Sequence, residues 1–220
     1  MNTAKPPHAS IARASGRSTT ARTALTIAAL LTLGAGMVAA VVFWNPEFIY
    51  YGLTLLAICA GVWLLDRQVT LPIGVLWGLY IWLVLHLAGG IIQVPAAIVD
   101  TGMTNYSLYN VRLHPWLPRY DQFVHAFGFF LCTLGGWRAL FVAGHRLVQP
   151  ALGPLIGAGL IGMGCGGVNE VIEFVGTQIM PGTNVGGYVN TGWDLVSNMV
   201  GCLLGMALVA LTHERWFARP

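Results

Sequence analysis

Six apolar runs dominate the chain. They cover about residues 23–43, 48–65, 71–94, 121–143, 151–175 and 192–212. A helix rises 1.5 Å per residue, so about 17–25 apolar residues cross a bilayer's hydrocarbon layer. Each run meets that length. Between them, Trp44-Asn45-Pro46-Glu47 reads as a tight turn, and Asp66-Arg67 ends the second run. A polar-aromatic loop covers 95–120, GHRLVQP (144–150) is a short connection, and a Gly/Pro/Asn-rich loop covers 176–191. The pattern predicts an all-α polytopic transmembrane bundle of about six spans. Residues 1–22 are predicted to form a disordered basic tail, 23–213 a single transmembrane domain, and 214–220 a short tail.

Composition agrees. The chain has 220 residues, 56% hydrophobic and 9% charged, with mean hydropathy +0.69. A soluble domain is about a quarter charged, so that class is excluded. The net charge of +3 does not indicate nucleic-acid binding. The basic residues sit in the N-terminal tail and at helix ends. The small pair Ala39-Ala40 admits signal cleavage, but the first run is longer than a usual signal core and is expected to stay as a span. Cys59, Cys132, Cys165 and Cys202 all lie in apolar runs, none in a C-x-x-C pattern. They are expected to be small apolar residues.

Charge then orients the bundle. With the N-terminus inside, nine Lys and Arg fall on one face, and only Arg112 and Arg119 on the other. Basic residues concentrate on the cytoplasmic side, so both termini are expected there. Six polar residues break the apolar pattern at the opposite side: His86, Asp121, His125, Glu170, Glu173 and Asp194. Charged groups in hydrocarbon are costly and usually functional. Asp121 and His125 are four residues apart, Glu170 and Glu173 three, Asp194 and Asn198 four, so each pair shares a helix face.

Four carboxylates crowded in a low-dielectric layer need protons or cations to compensate them. With two histidines they suit a divalent metal: Zn, Mn or Fe. His86, Asp121, His125, Glu170, Glu173 and Asp194 are the expected ligands. Glu170 and Glu173 also serve as candidate catalytic carboxylates, acting on metal-bound water. Arg119, Asn169 and Asn198 are candidates for substrate contact or ligand support. The expected chemistry is hydrolysis or transfer on a lipid-linked or amphiphilic substrate. Ion- or proton-coupled transport is the second reading, and a scaffold held by interhelical hydrogen bonds the third. Asp194 could instead cap the last helix. His114 and His213 lie outside the spans.

Loop residues complete the picture. Tyr106, Tyr109, Trp116 and Tyr120 fit an interfacial aromatic belt. Arg112 and Arg119 fit a phosphate or lipid head group. The 176–191 loop, with Pro181-Gly182 and Gly186-Gly187, fits a lid. The fifth run, dense in glycine from Gly153 to Gly167, is expected to be the central, tightly packed helix.

Arg119-Tyr120-Asp121-Gln122-Phe123-Val124-His125, followed by Phe127-Gly128-Phe129, resembles the YjdF-like family of bacterial inner-membrane proteins, a domain of unknown function. In that family an early His, an R-x-D-x-x-x-H element, an E-x-x-E-like element and a W-D element recur in order. Here they correspond to His86, to Arg119 with Asp121 and His125, to Glu170 with Glu173, and to Trp193-Asp194. The chain departs in Gly89-Gly90-Ile91-Ile92, where a Tyr-rich stretch is expected, and in Asn198, where a further acid is expected. A fainter similarity joins it to VanZ-like membrane proteins. The resemblance implies a multi-pass inner-membrane protein and a polar pattern, with no activity attached.

Overall fold

The computed structural model describes the backbone of residues 8–101, 103, 105–145, 149–180, 182, 183 and 185–216, and the side chains of those from 19 to 213. Among the described residues six α-helices form: α1 (His8–Val42), α2 (Pro46–Val69), α3 (Ile73–Ile91), α4 (Tyr120–Ala143), α5 (Leu152–Ile179) and α6 (Tyr188–Trp216). Each holds a stretch long and apolar enough to cross a membrane. The helix bounds differ from the apolar runs where polar residues join a helix. Helix α1 reaches back to His8 through most of the basic segment expected to be disordered, with its candidate span beginning at Thr19. Helix α6 starts at Tyr188, not 192. Asp194 therefore lies more than a turn inside it and is no cap. His213 lies inside the candidate span of α6 and is buried, where the sequence placed it outside.

The turns follow from local chemistry. Asn45 caps α2 by accepting from the Phe48 N–H at 3.1 Å, and Pro46 opens the helix where no amide bond is lost. Thr70 ends α2 in the left-handed region (φ 51°). Asp66 then accepts from the Leu71 N–H at 2.8 Å and pairs with Arg22 of α1. Arg138 of α4 donates to the Val69 and Thr70 carbonyls at 2.9 and 3.1 Å. One end of the bundle is thus clasped by side chains from α1, α2 and α4. At the other end, the 92–119 connection folds back on itself through Gln93–Ser107 and Val99–Val111 bridges, and an Asp100–Arg112 ion pair at 3.1 Å.

Helix α4 is the centre of the bundle. Of its most apolar 18 residues 56% are buried, against 17–28% in the other helices. It packs on α5, α6, α3 and the folded loop. The glycine-dense α5 is therefore not the central helix. Its small residues serve one face: Gly159 meets Met206, Gly162 meets Thr133 and Cys202, and Gly166 meets Asn198. Gly153, Gly164 and Gly167 face open space. The closest approach is between α4 and α6, where Gly201 lies on the Ala126 carbonyl and Gly205 beside Thr133 and the Phe130 carbonyl. Large exposed apolar side chains on α1, α2, α5 and α6 form the outer surface, as a lipid-facing bundle requires.

Candidate metal centre

The short connections put the start of α4, the late part of α5 and the early part of α6 at the same end of the bundle. That end also holds Glu47 and His86. Close α4–α6 packing then brings three polar helix faces onto one imidazole. His125 is 8% exposed, with carboxylate oxygens on both sides of its ring. Its Nε2 lies 3.6 Å from Asp121 Oδ1 and 3.7 Å from Glu173 Oε1. Its Nδ1 lies 3.7 Å from Glu170 Oε1 and 3.1 Å from Asn198 Oδ1. Ligand atoms of Asp121, His125 and Asp194 lie within 4.8 Å of one another, as do those of His125, Glu170 and Glu173. Both sets share His125.

The ring contacts have a tautomeric consequence. An amide oxygen only accepts, so the contact with Asn198 places a proton on Nδ1. In the neutral ring Nε2 then presents a lone pair to two carboxylate oxygens. A cation between them, or a second proton on the ring, relieves that conflict. Three of the four contacts, at 3.6–3.7 Å, exceed the hydrogen-bond range of about 3.2 Å. Ligands at about 2.0–2.1 Å around a tetrahedral ion lie about 3.3–3.4 Å apart, close to the spacing found here.

The surrounding polar atoms divide into satisfied and unsatisfied groups. Asn169 donates to Glu173 Oε1 at 2.7 Å, and Asn190 donates to Asp194 Oδ2 at 2.6 Å and to the Val185 carbonyl at 2.8 Å. By contrast, Oδ1 of Asp194 is buried without a hydrogen-bond partner, and both oxygens of Glu170 are buried with the Asn169 and Asn198 amides near them but outside good hydrogen-bond geometry. A buried polar group left so costs about 1–3 kcal/mol, more if charged. Coordination would satisfy the carboxylate oxygens.

A cavity of about 30 Å³ opens beside the imidazole, lined by Glu47, Tyr51, His86, Tyr109, Asp121, His125, Glu173, Val185 and Asn190. It has room for about one water molecule or one ion. His86 is in neither ligand set. Its Nδ1 meets the Tyr109 hydroxyl at 2.5 Å, and its ring stacks on Trp82 at 5.2 Å. It lines the far wall of the same cavity. Burial pushes the Tyr109 phenol well above its ordinary value, and the facing Asp121 and Glu173 carboxylates push it the same way.

The structure thus gathers Asp121, His125, Glu170, Glu173, Asp194, Asn169 and Asn198 around one node. Arg119 turns inward: it is 4% exposed, with Nη2 4.0 Å from Asp121 Oδ2 and Nη1 on the Met103 sulfur. It does not face lipid head groups, and Arg112 is paired with Asp100. Tyr109 likewise leaves the expected aromatic belt for the interior, while Trp116 stays 89% exposed. Sequence reasoning missed Glu47, Tyr51, Tyr109 and Asn190. Glu47 and Tyr51 carried a signal, being four apart at the start of α2 on the site's side. Of the proposed lid, Val185 closes the cavity, and Pro181 lies outside the described residues.

The family described as "Predicted membrane protein (DUF2238)" matches residues 21–215. The chain belongs to this family. It is the YjdF-like family, so the resemblance read from motif order extends over nearly all of the chain. No curated protein and no solved structure matches it. The site of this YjdF-like protein must therefore be read from its own geometry.

Proposed function

We propose that this YjdF-like protein binds one divalent metal ion at His125 and uses it for hydrolysis or group transfer on an amphiphilic substrate. The observation that carries the reading is the imidazole ringed by carboxylate oxygens at ligand-like spacing, several of them buried and without hydrogen bonds. Glu170 of α5, with Asp121 and Asp194, completes the ligand shell. Zn, Mn or Fe suits this mixed nitrogen and oxygen set. Asn198 holds the ring in its tautomer, as partners of ligating histidines commonly do. Asn169 and Asn190 orient Glu173 and Asp194. The ion would supply an activated water at neutral pH. A carboxylate not taken up by the ion, Glu173 on the cavity side, is placed to accept that water's proton.

The lysine and arginine bias supports a reading with the Thr70 end and both termini in the cytoplasm, and with the centre just beneath the outer surface of a bacterial inner membrane. A substrate with its head at that surface and its tail in lipid suits the location. Transport is disfavoured by depth. Below the node, α4–α6 meet through Phe129, Thr133, Cys202 and glycines rather than through carboxylates.

Metal analysis of detergent-purified protein tests the proposal. About one equivalent of Zn, Mn or Fe is expected in the wild type, and well under a tenth of that in His125→Ala and Glu170→Ala. Metal-free wild-type protein that gains none on titration, or variants that keep the full amount, would overturn it.

A further inference from the structure

A second space, apart from the polar cavity, opens between α1, α2 and α3. It holds about 430 Å³ and its walls are almost wholly apolar. Sites for small molecules and cofactors span about 300–1,000 Å³. Along α2 it extends from Leu55 to Asp66, about 16 Å at the helical rise. That is about half of a hydrocarbon layer of roughly 30 Å, so the groove is one leaflet deep. Leu83 and Trp82 line its inner end, and Trp82 stacks on His86 of the polar cavity. One layer of side chains separates the two spaces.

The opposite end of the groove is charged. Arg22 and Asp66 line it and pair with each other. The Arg67 guanidinium sits over the ring of Trp63, itself a groove residue, at 4.8 Å. Arg22 is taken up by Asp66 and by the Leu71 carbonyl, to which its Nη2 donates at 2.6 Å, so the excess positive charge beside the groove mouth is that of Arg67.

We propose that the groove binds one acyl chain of an anionic phospholipid from the leaflet at the Thr70 end, with the phosphate held near Arg67. The depth selects a chain from one leaflet, the walls select hydrocarbon, and the mouth selects a negative head. Juxtamembrane arginines attract anionic lipids in this way. The site is independent of the metal centre and stands without it.

Native mass spectrometry of the full chain, delipidated and returned to phosphatidylglycerol or phosphatidylcholine, tests this. One phosphatidylglycerol should be retained per chain, in preference to phosphatidylcholine. Arg67→Ala should lower that preference about fivefold, the worth of one basic residue at an anionic surface. Ala60→Trp fills the groove from an exposed position and should abolish retention. Phosphatidylglycerol with a photoreactive acyl chain should label α2 at 55–63 and α3 at 76–83. Equal retention of both lipids, unchanged retention in Ala60→Trp, or labelling spread over the outer faces of α5 and α6 would each overturn the proposal. Should Ala60→Trp not fold, Arg67→Ala and the labelling map decide it. Metal content should be unaffected in either variant, which separates this test from that of the metal centre.

Discussion

Tyr109 shows how one side chain can anchor a loop to a helix. Its hydroxyl meets His86 Nδ1 at 2.5 Å and donates to the His86 carbonyl at 2.9 Å, and its ring lies against Gly89 where any Cβ would collide. Gly89 and Gly90, in place of a Tyr-rich stretch, admit the Tyr109 and Phe48 rings. Tyr109→Phe should cost about 1–2 kcal/mol, since His86 loses a buried partner. Its pH dependence has a definite sign. The phenol's folded value lies above its unfolded value of about 10. The fold thus favours the neutral phenol, a contribution that is full below about pH 10 and lost as pH rises through the folded value. Melting in detergent from pH 8 to 11 should show the wild type losing stability above about pH 10, and Tyr109→Phe losing less. Parallel curves would mean that Tyr109 is not the buried group described.

Among the helices, the α4–α6 contact governs the centre's geometry, because it sets His125 against Asp194 and Asn198. Its closeness depends on Gly201, where an added Cβ would land on the Ala126 carbonyl oxygen. Backbone cannot yield as a side chain can, so Gly201→Ala should destabilise by about 3 kcal/mol, the upper part of the usual overpacking range. Gly164 on α5 meets nothing within 4 Å. Gly164→Ala should instead be neutral or stabilising by up to about 1 kcal/mol, through helix propensity. Thermal melting of the two variants gives the comparison. A Gly201→Ala protein as stable as the wild type would show that the two helices are not in backbone contact. Counting glycines along α5 does not reveal this difference. What matters is which face each glycine occupies, and that is fixed only when a partner helix packs there.

For the whole molecule, the sequence is legible wherever the bilayer acts on single segments. Six spans follow from length and hydropathy, and the pairs Asp121/His125 and Glu170/Glu173 follow from helical periodicity. That those pairs meet at one imidazole is a matter of helix packing, which the periodicity of a single segment does not report. The roles of Tyr109, Arg119 and Asn190 were illegible because each depends on a connection folding inward over the helix ends. A loop residue's hydropathy does not report that. Orientation rests on charge bias alone, and it decides which side of the membrane the His125 centre faces. Trp116 and Gln149 are exposed at opposite ends of the bundle. In a chain with its four cysteines replaced, Trp116→Cys should react in intact cells with a thiol reagent that does not cross the membrane into the cytoplasm. Gln149→Cys should react only after the membrane is permeabilised. The reverse pattern would turn the bundle over. It would move the His125 centre beneath the cytoplasmic face and place the lipid groove in the outer leaflet. The interior contacts around His125 would not change, since those depend on helix packing and not on which way the bundle was inserted.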